Sequence, residues 1–101
     1  MNRRKEYKDV FHKRLNAIKN IYGMTACDMA RKCDIPCVTM TTYVRNTRTP
    51  RSDFAVMIAD GFGVSVGWLV GKEPSTERER QIEEYMQLKE KLDEMAEEIK
   101  I

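Results

Sequence analysis

The stretch "PCVTMTTYVRN", residues 36–46, decides the fold because its composition and its spacing indicate different structures. Most of its residues are types enriched in strands, namely Val38, Thr39, Thr41, Thr42, Tyr43 and Val44. A strand would place Met40 and Tyr43 on opposite faces of a sheet. A helix places both on a single inward stripe, with the threonines directed elsewhere. The sequence therefore predicts a helix here, formed against its own propensity because tertiary packing outweighs local preference.

The boundaries of this helix are marked at both ends. Pro36 suits the first helical position, because that residue has no intrahelical use for its N–H. Asn46 tolerates the left-handed conformation that ends a helix, so the predicted helix covers residues 36–45. Before it, Thr25 is a predicted N-cap for a short helix over 25–33. The sequence thus predicts two short helices joined by the turn "CDIP".

Three further helices are predicted around this pair, each with apolar residues three and four positions apart. The apolar residues are Phe11, Leu15 and Ile18 in the first, Phe54, Met57, Ile58 and Phe62 in the second, and Trp68 and Leu69 in the third. Ser52 and Ser65 are predicted N-caps, and Gly23 and Gly63 supply stops. The sequence thus predicts a compact all-α domain of five short helices over residues 10–74.

The last part of the chain, residues 75–101, follows a different pattern. Thr76 and Glu79 have capping-box spacing, and residues 77–100 contain neither Gly nor Pro. Apolar residues then alternate three and four apart, as in a coiled coil: Tyr85, Leu88, Leu92, Met95 and Ile99. Two interpretations are open, a last helix that packs on its own domain and a helix that mediates self-association. The second is favoured, because an amphipathic helix beyond a complete domain needs a partner for its apolar face.

The charge of the chain is unevenly distributed. Residues 1–52 carry 12 Lys+Arg against 4 Asp+Glu, a net charge of +8, and residues 53–101 carry 6 against 12, a net charge of −6. A basic half beside an acidic half indicates that one face meets a polyanion. The basic half includes a predicted N-terminal arm over residues 1–9, with Arg3, Arg4, Lys5 and Lys8.

Composition limits the class of protein. The 101 residues are 42% hydrophobic and 34% charged, which is typical of one soluble folded domain. Apolar runs are too short for a membrane span, and the N-terminus lacks the apolar stretch of a secretion signal. Three cysteines, an odd number without a secretion signal, indicate a reducing cytoplasm and argue against a disulfide scaffold.

Residues 10–71 resemble the phage-repressor-like helix-turn-helix family, the Xre or Cro class. The matching stretches are "FHKRLNAIK", "GMTACDMARKCDIPCVTMTTYVRNTRTP" and "FAVMIADGFGVSVGWLVG". There are departures from the family pattern. Family members often have Gln near the positions of Ala26 and Cys37, and Asn46 replaces the commoner Gly. A missing Gln removes a bidentate reader of adenine, so an operator sequence is not carried over from the family.

The resemblance implies roles for particular residues. Residues 25–33 become the supporting helix, and 36–45 the recognition helix that enters the major groove of double-stranded DNA. Base edges are then contacted by Cys37, Val38, Thr41 and Thr42. Backbone phosphates are held by Thr39, Arg45, Asn46, Thr47, Arg48 and Arg51. The function implied is a sequence-specific transcriptional regulator, a repressor, that binds near-palindromic DNA as a homodimer.

The side chains of the predicted recognition helix indicate what it reads. A threonine offers a hydroxyl and a methyl that can meet the thymine methyl, and Val38 adds apolar contact. No Arg, Asn or Gln precedes Arg45 in this helix, so the sequence predicts modest specificity with a thymine bias. If about five or six phosphates are neutralised, log affinity falls with log salt at a slope of roughly −5.

Other function classes are less well supported. The chain has one histidine and shows no Ser-His-Asp set or glycine-rich phosphate loop, so neither an enzyme nor a cofactor is expected. Cys27, Cys33, Cys37 and His12 could form a Cys₃His zinc set, but the C-x₅-C-x₃-C spacing is unlike the usual close pairs. A thiol redox switch at Cys37 would alter a groove contact. The main alternative is a protein-binding module, such as an antitoxin or antirepressor-type partner, that docks through its C-terminal helix.

Overall fold

The computed structural model describes residues 3–99 of the chain, with side chains for residues 7–98, and this part contains six helices and no strand. In chain order they are α1 (Arg3–Tyr22), α2 (Ala26–Cys33), α3 (Cys37–Val44), α4 (Ser52–Phe62), α5 (Val66–Leu69) and α6 (Glu77–Ile99). The predicted all-α fold, a helix-turn-helix domain followed by a long C-terminal helix, is confirmed. Residues 3–9, predicted as a separate basic arm, are continuous with α1, and residues 1 and 2 lie outside the described part.

The helix α2 begins with the predicted cap at Thr25. The Asp28 N–H donates to the Thr25 hydroxyl at 3.1 Å, and the Thr25 N–H donates to the Asp28 carboxylate at 3.1 Å, which completes a capping box. The bond from the Thr25 backbone, with the neighbouring Arg31 guanidinium, holds the pKa of Asp28 below its ordinary value. Asp34, at φ 59°, then ends α2 in the left-handed region and turns the chain toward α3.

The strand-prone stretch is helical, as its apolar spacing predicted. Pro36 is the N-cap and Arg45 the C-cap, so α3 is one residue shorter at each end than the predicted helix. Met40 is 0% exposed and Tyr43 2%, and the Tyr43 ring meets Phe11 edge-on at 5.7 Å between centroids. These inward anchors fix α3 to α1, and they supply the tertiary stabilisation that its composition does not.

Hydrogen bonds inside α3 occupy the hydroxyl protons of two of its threonines. The Thr41 hydroxyl donates to the Cys37 carbonyl at 2.9 Å, and the Thr42 hydroxyl donates to the Thr39 carbonyl at 2.6 Å. Such bonds to carbonyls three or four residues earlier are open to threonine in a helix. The hydroxyls are therefore satisfied without water and without a strand partner.

The core forms around α1, which contacts α3, α5 and α6, while α2 contacts α3 and α4. Its buried apolar residues include Phe11, Leu15, Ile18, Met29, Ala30, Met40, Ile58, Phe62, Trp68 and Leu69. All except Met29 and Ala30 belong to the apolar sets that the spacing of the sequence predicts. The side of α3 that faces away from this core lies on the surface.

The helix boundaries on either side of α4 match the sequence in part. Ser65 caps α5 as predicted, since its hydroxyl accepts from the Trp68 N–H at 3.1 Å. The predicted cap at Ser52 is wrong, because Arg51 is the N-cap and α4 begins at Ser52. Gly63 ends α4 at φ 68°, a left-handed conformation that glycine adopts without strain.

The cysteines differ from expectation. Cys27 and Cys37 are joined as a disulfide, with their Cα atoms 4.8 Å apart, a single bond that the sequence does not predict. The pairing depends on the crossing of α2 and α3, which sequence spacing alone does not reveal. Cys33 is free and buried in the core, where it packs on Gly61. A Cβ at Gly61 would lie 2.6 Å from the Cys33 sulfur, so glycine permits this close approach of α4 to α2.

The first half of α6 belongs to the domain. Glu79 is 0% exposed, and its carboxylate accepts from the Ser65 N–H at 2.8 Å and from the Ser75 N–H at 2.9 Å. Burial raises the pKa of Glu79, but the hydrogen bonds from Ser75 and Ser65 outweigh it and hold the pKa below its ordinary value. Thr76 accepts from the Glu79 N–H at 3.2 Å, which is one half of the predicted capping box. Glu79 thus joins the starts of α5 and α6, and Ile82 follows it into the core at 4% exposure.

Candidate nucleic-acid interface

The outer side of α3 presents its strand-prone side chains to the surface. Val38 is 78% exposed, the largest value among the exposed large hydrophobic residues. Thr39, Thr41 and Thr42 are partly exposed, while Met40 on the opposite side is fully buried. The helix is therefore anchored on one side and offers a row of methyl and hydroxyl groups on the other.

The hydrogen bonds inside α3 decide what these threonines can offer. Thr41 and Thr42 donate their hydroxyl protons to carbonyls of their own helix. Each oxygen keeps capacity to accept a hydrogen bond, and each side chain keeps its methyl group. This surface can therefore accept from an exocyclic amine or contact an apolar methyl, which are features of base edges in the major groove.

A depression of about 250 Å³ adjoins α3, at the loop that leads to α4. It is lined by Val38, Thr39, Thr42, Tyr43, Arg48, Thr49, Arg51 and Phe54. The two guanidinium groups suit the binding of a phosphate, since charge-assisted N–H donors are its strongest partners, and the hydroxyls of Thr39 and Thr49 can donate as well. The methyl row and a cationic depression therefore lie side by side.

The loop between α3 and α4 is held in place by the end of α3. The Thr47 N–H donates to the Thr42 carbonyl at 2.9 Å, and the Arg51 N–H donates to the Tyr43 hydroxyl at 3.2 Å. Asn46 adopts φ 60°, the left-handed conformation predicted for it. The depression is thus formed by a fixed backbone, with Tyr43 joining it to the core.

The residues predicted to hold phosphates are not equally placed. Arg45, Thr47 and Arg48 are exposed, and within the described side chains neither arginine forms an ion pair. Arg51 is exposed but forms an ion pair with Asp53 at 3.0 Å, and its guanidinium lies 4.7 Å from the centre of the Phe54 ring.

Asn46 is placed differently from the arginines. Its amide nitrogen donates to the Asp9 carboxylate at 3.1 Å. Its amide oxygen is buried and has no hydrogen-bond partner among the described residues. The side chain therefore joins α3 to α1, and its position supports a structural role more directly than a phosphate contact.

Arg14 is part of the basic half but is used inside the fold. It forms an ion pair with Glu83 at 2.7 Å, and it donates to the carbonyls of Trp68 and Lys72. Its guanidinium also lies 4.8 Å from the centre of the Trp68 ring. Arg14 therefore ties α1 to α5 and α6, and it is not available to DNA.

Two features of this interface were not found from the sequence. Thr49 lines the depression between Arg48 and Arg51. In the sequence, this role of Thr49 is indicated only by its place in the polar run "NTRTP". The second feature is the Tyr43 hydroxyl, since the sequence predicts Tyr43 only as a core residue. Its bond to the Arg51 backbone depends on where the loop returns in space, which residue spacing does not give.

The predicted self-association set is divided by the structure. Tyr85 is partly buried and lines a groove between α6 and α1, so it packs on its own domain. Leu88, Leu92 and Met95 are 62%, 61% and 55% exposed. The side chain of Ile99 lies outside the described residues. The distal half of α6 thus carries an apolar row that this chain alone does not cover.

Two other kinds of feature are absent from the described residues. Over residues 3–99, no helix combines the length and the apolar character needed to cross a membrane. Among the described side chains, no three His, Cys, Asp or Glu residues are grouped so that they could hold a metal ion.

Comparison with known proteins gives one result. Neither the curated proteins nor the solved structures gave a match. A family model described as the bacteriophage CI repressor helix-turn-helix domain matches residues 13–76, more than half of the chain. The match includes α2, α3 and the loop with the cationic depression, and it ends one residue before α6 begins. The family is one of DNA-binding regulators and not a class of enzymes. The chain therefore belongs to the bacteriophage CI repressor helix-turn-helix domain family.

Proposed function

We propose that this chain is a cytoplasmic transcriptional repressor that binds specific sites in double-stranded DNA as a homodimer. In this proposal α3 enters the major groove, the helix-turn-helix domain binds DNA and the distal half of α6, beyond Tyr85, mediates self-association. The observation that carries the proposal is the surface of α3, where Val38 is 78% exposed beside a row of threonines. This row of methyl groups beside a cationic depression suits a partner that carries apolar groups next to phosphates, as the major groove of DNA does.

Base reading in this proposal depends on methyl groups. Val38, Thr41 and Thr42 contact base edges, and their methyls meet the C5-methyl of thymine. Cys37, at the start of the same helix, belongs to the proposed base-contacting set only as a free thiol, since its sulfur is bonded to Cys27 in this structure. The absence of Arg, Asn and Gln from α3 removes the bidentate readers of guanine and adenine. Specificity is therefore modest and biased toward thymine.

Phosphate binding supplies most of the affinity in this proposal. Arg45, Arg48 and Arg51 bind the strand beside α3, together with the Thr39 hydroxyl. Thr47, whose hydroxyl donates to the Thr42 carbonyl at 3.2 Å, and Asn46 contribute at most a minor share. Such contacts fix the orientation of the protein on the duplex without reading sequence. They also release counterions, so affinity falls with salt.

The distal half of α6 is the proposed dimer contact. Leu88, Leu92 and Met95 continue the coiled-coil spacing beyond the part of α6 that packs on the domain. In a parallel pair Glu84 and Lys89 of opposite copies occupy facing g and e positions and attract each other. A two-fold dimer then presents two α3 helices about 34 Å apart, one turn of duplex.

Selection of duplexes from a random pool, followed by measurement of mass in solution, tests the proposal. We expect thymine-rich half-sites about one helical turn apart and a two-chain complex. The paired substitution Leu88→Glu with Leu92→Glu should give a monomer that binds the selected site at least tenfold more weakly, because each half-site is then bound alone. The matched control is Glu90→Ala on the same helix, which should leave mass and affinity unchanged. A guanine-rich consensus opposite α3, or no selected sequence at all, would contradict the proposal.

A second candidate function is a protein-binding module, and the exposed row on α6 favours it. Leu88, Leu92 and Met95 sit within the acidic half of the chain, so a basic amphipathic partner would complement them. Truncation after Gln87 separates the candidates, because it keeps the buried Glu79 and Ile82 in place. The shortened chain should still retard the selected duplex if DNA is the partner. Folded full-length and shortened chains that retard no duplex would favour the protein-binding function.

A further inference from the structure

Cys27 and Cys37 form a pair that the proposed function does not explain. Their Cα atoms are 4.8 Å apart, within the range that a disulfide bridges without backbone movement. Cys27 is the second residue of α2 and Cys37 the first residue of α3, so the bond joins the first turns of the two helices. Cys27 is exposed and Cys37 partly exposed, whereas Cys33 is buried in the core.

The two helices joined by this bond differ in how well their first turns are capped. The first turn of α2 is closed by the reciprocal bonds of Thr25 and Asp28. The first turn of α3 follows Pro36, which provides no side-chain cap, and the helix is rich in β-branched residues. The disulfide to α2 therefore stabilises the first turn of α3, which has the weakest local stabilisation in that helix. This turn lies beside the exposed Val38.

We propose that Cys27 and Cys37 are a reversible oxidation site that adjusts DNA affinity, with the disulfide form binding more tightly. This inference rests on the proposed function of α3. In the disulfide the Cys37 sulfur is directed to α2, so its contribution to base reading is lost and Val38, Thr41 and Thr42 read the bases. A thiol is only a weak hydrogen-bond donor, so the gain from a fixed first turn outweighs that loss.

The chemistry needs an oxidant, and a peroxide supplies it. The thiolate of one cysteine attacks a peroxide oxygen, the O–O bond breaks, and a sulfenic acid and water are formed when the oxidant is hydrogen peroxide. The second thiol attacks the sulfenic sulfur, which forms the S–S bond and releases a second water. Two thiols thus lose two electrons and two protons, and peroxide is reduced to water. A small dithiol or an excess of monothiol restores both thiols by exchange.

The surroundings of the three sulfurs favour this pair over Cys33. Cys27 and Cys37 lie in the first turns of helices, where the helix dipole stabilises a thiolate. Cys33 is enclosed by core residues and Gly61, and burial raises the pKa of its thiol. Oxidant should therefore reach and oxidise the pair while Cys33 stays reduced.

A count of thiols in the full chain tests the pairing. The reduced protein should show two rapidly reacting thiols when folded and three when unfolded. After treatment with one equivalent of hydrogen peroxide it should show none when folded and one when unfolded, and a proteolytic map should place the bond between Cys27 and Cys37. A bond that involves Cys33 or joins two chains, or thiols that remain unoxidised, would overturn the inference whether or not the protein binds DNA.

Affinity for the selected duplex tests the effect on function. Suppose that the first turn of α3 is in the DNA-binding conformation in about one tenth to one third of reduced molecules and in nearly all oxidised ones. Affinity should then rise roughly three- to tenfold on oxidation. In Cys27→Ser the two treatments should give equal affinity, at the level of the reduced wild type, because Cys37 then has no partner. Cys33→Ala, the matched control, should keep the wild-type ratio.

The two proposals fail in different ways in this assay. Equal affinity for the oxidised and reduced wild type, with the Cys27–Cys37 bond proven, would overturn the regulatory inference and leave DNA binding intact. Binding of no duplex by either form of the wild type or by Cys27→Ser would refute the proposed function and, with it, the effect on affinity. The thiol count would still decide whether the oxidation site exists.

Discussion

Replacement of Glu79 by alanine should destabilise the whole domain, although this residue lies on the C-terminal helix, for which the sequence favoured self-association. Its carboxylate accepts from two backbone N–H groups, at 2.8 and 2.9 Å, that begin the segments leading into α5 and α6. Loss of an acceptor leaves each donor with a cost of about 1–3 kcal/mol. Ser65 and Ser75 are themselves exposed, so water replaces part of each bond, and the low end of this range applies. We expect Glu79→Ala to lower the free energy of unfolding by about 2–3 kcal/mol.

The assay is urea and thermal unfolding of the full chain at neutral pH. A loss of this size is a large share of the stability of a small domain and should lower Tm by roughly 10 °C or more. Glu79→Gln should fall between alanine and the wild type, because an amide keeps one oxygen acceptor but loses the charge. Glu90→Ala is the matched control, since Glu90 is exposed on the same helix outside the proposed dimer contact, and its loss should cost less than about 0.5 kcal/mol.

The pH dependence of the same difference gives an independent check. The folded pKa of Glu79 lies below its ordinary value of 4.5, so the charged carboxylate stabilises the fold. That contribution should be complete above the ordinary value and should be lost as pH falls through the folded pKa. The gap in stability between wild type and Glu79→Gln should therefore hold from pH 7 to about 5 and narrow below. A loss below about 1 kcal/mol in Glu79→Ala, or a gap that does not change down to pH 3, would refute this account of how α6 joins the domain.

Two further changes test the interface and the core. Arg48→Ala, in the cationic depression, should weaken binding to all duplexes alike and reduce the slope of log affinity against log salt from a magnitude of roughly 5 by about 1. Lys91→Ala on α6 is the control and should leave this slope unchanged. A change in the selected DNA sequence would contradict a phosphate role for Arg48. Gly61→Ala should cost roughly 1–3 kcal/mol in unfolding experiments, because the new methyl would lie 2.6 Å from the Cys33 sulfur, and Cys33→Ala should recover part of this loss. Additive losses in that double variant would contradict the contact.

The course of the chain through its helices could largely be predicted from local signals. Thr25 and Ser65 are N-caps because a hydroxyl just before a helix can accept a hydrogen bond from a free N–H of its first turn. Met40 and Tyr43 are buried because their spacing puts them on one side of α3. Such signals act within one turn of a helix. They sufficed to identify α3 as a helix against the propensity of its residues.

Features that depend on the crossing of helices could not be predicted in the same way. The bond between Cys27 and Cys37 requires the first turns of α2 and α3 to meet, and the burial of Glu79 requires α6 to cross the start of α5. A glutamate at that position of a capping box would ordinarily turn back to its own helix. Here the carboxylate bridges two segments, so only part of α6 is left to meet a partner.

The most direct measurement of base reading by α3 replaces thymine with uracil in the selected duplex, which removes only the C5-methyl from the major groove. The account predicts that wild-type affinity falls about two- to fivefold per contacted thymine, the equivalent of about 0.5–1 kcal/mol for a buried methyl. In Val38→Ser the preference for thymine over uracil should be smaller than in the wild type, because only the methyls of Thr41 and Thr42 remain to contact thymine. Equal binding of both duplexes by the wild type, or an undiminished preference for thymine in Val38→Ser, would contradict the assignment of α3 as the reading helix.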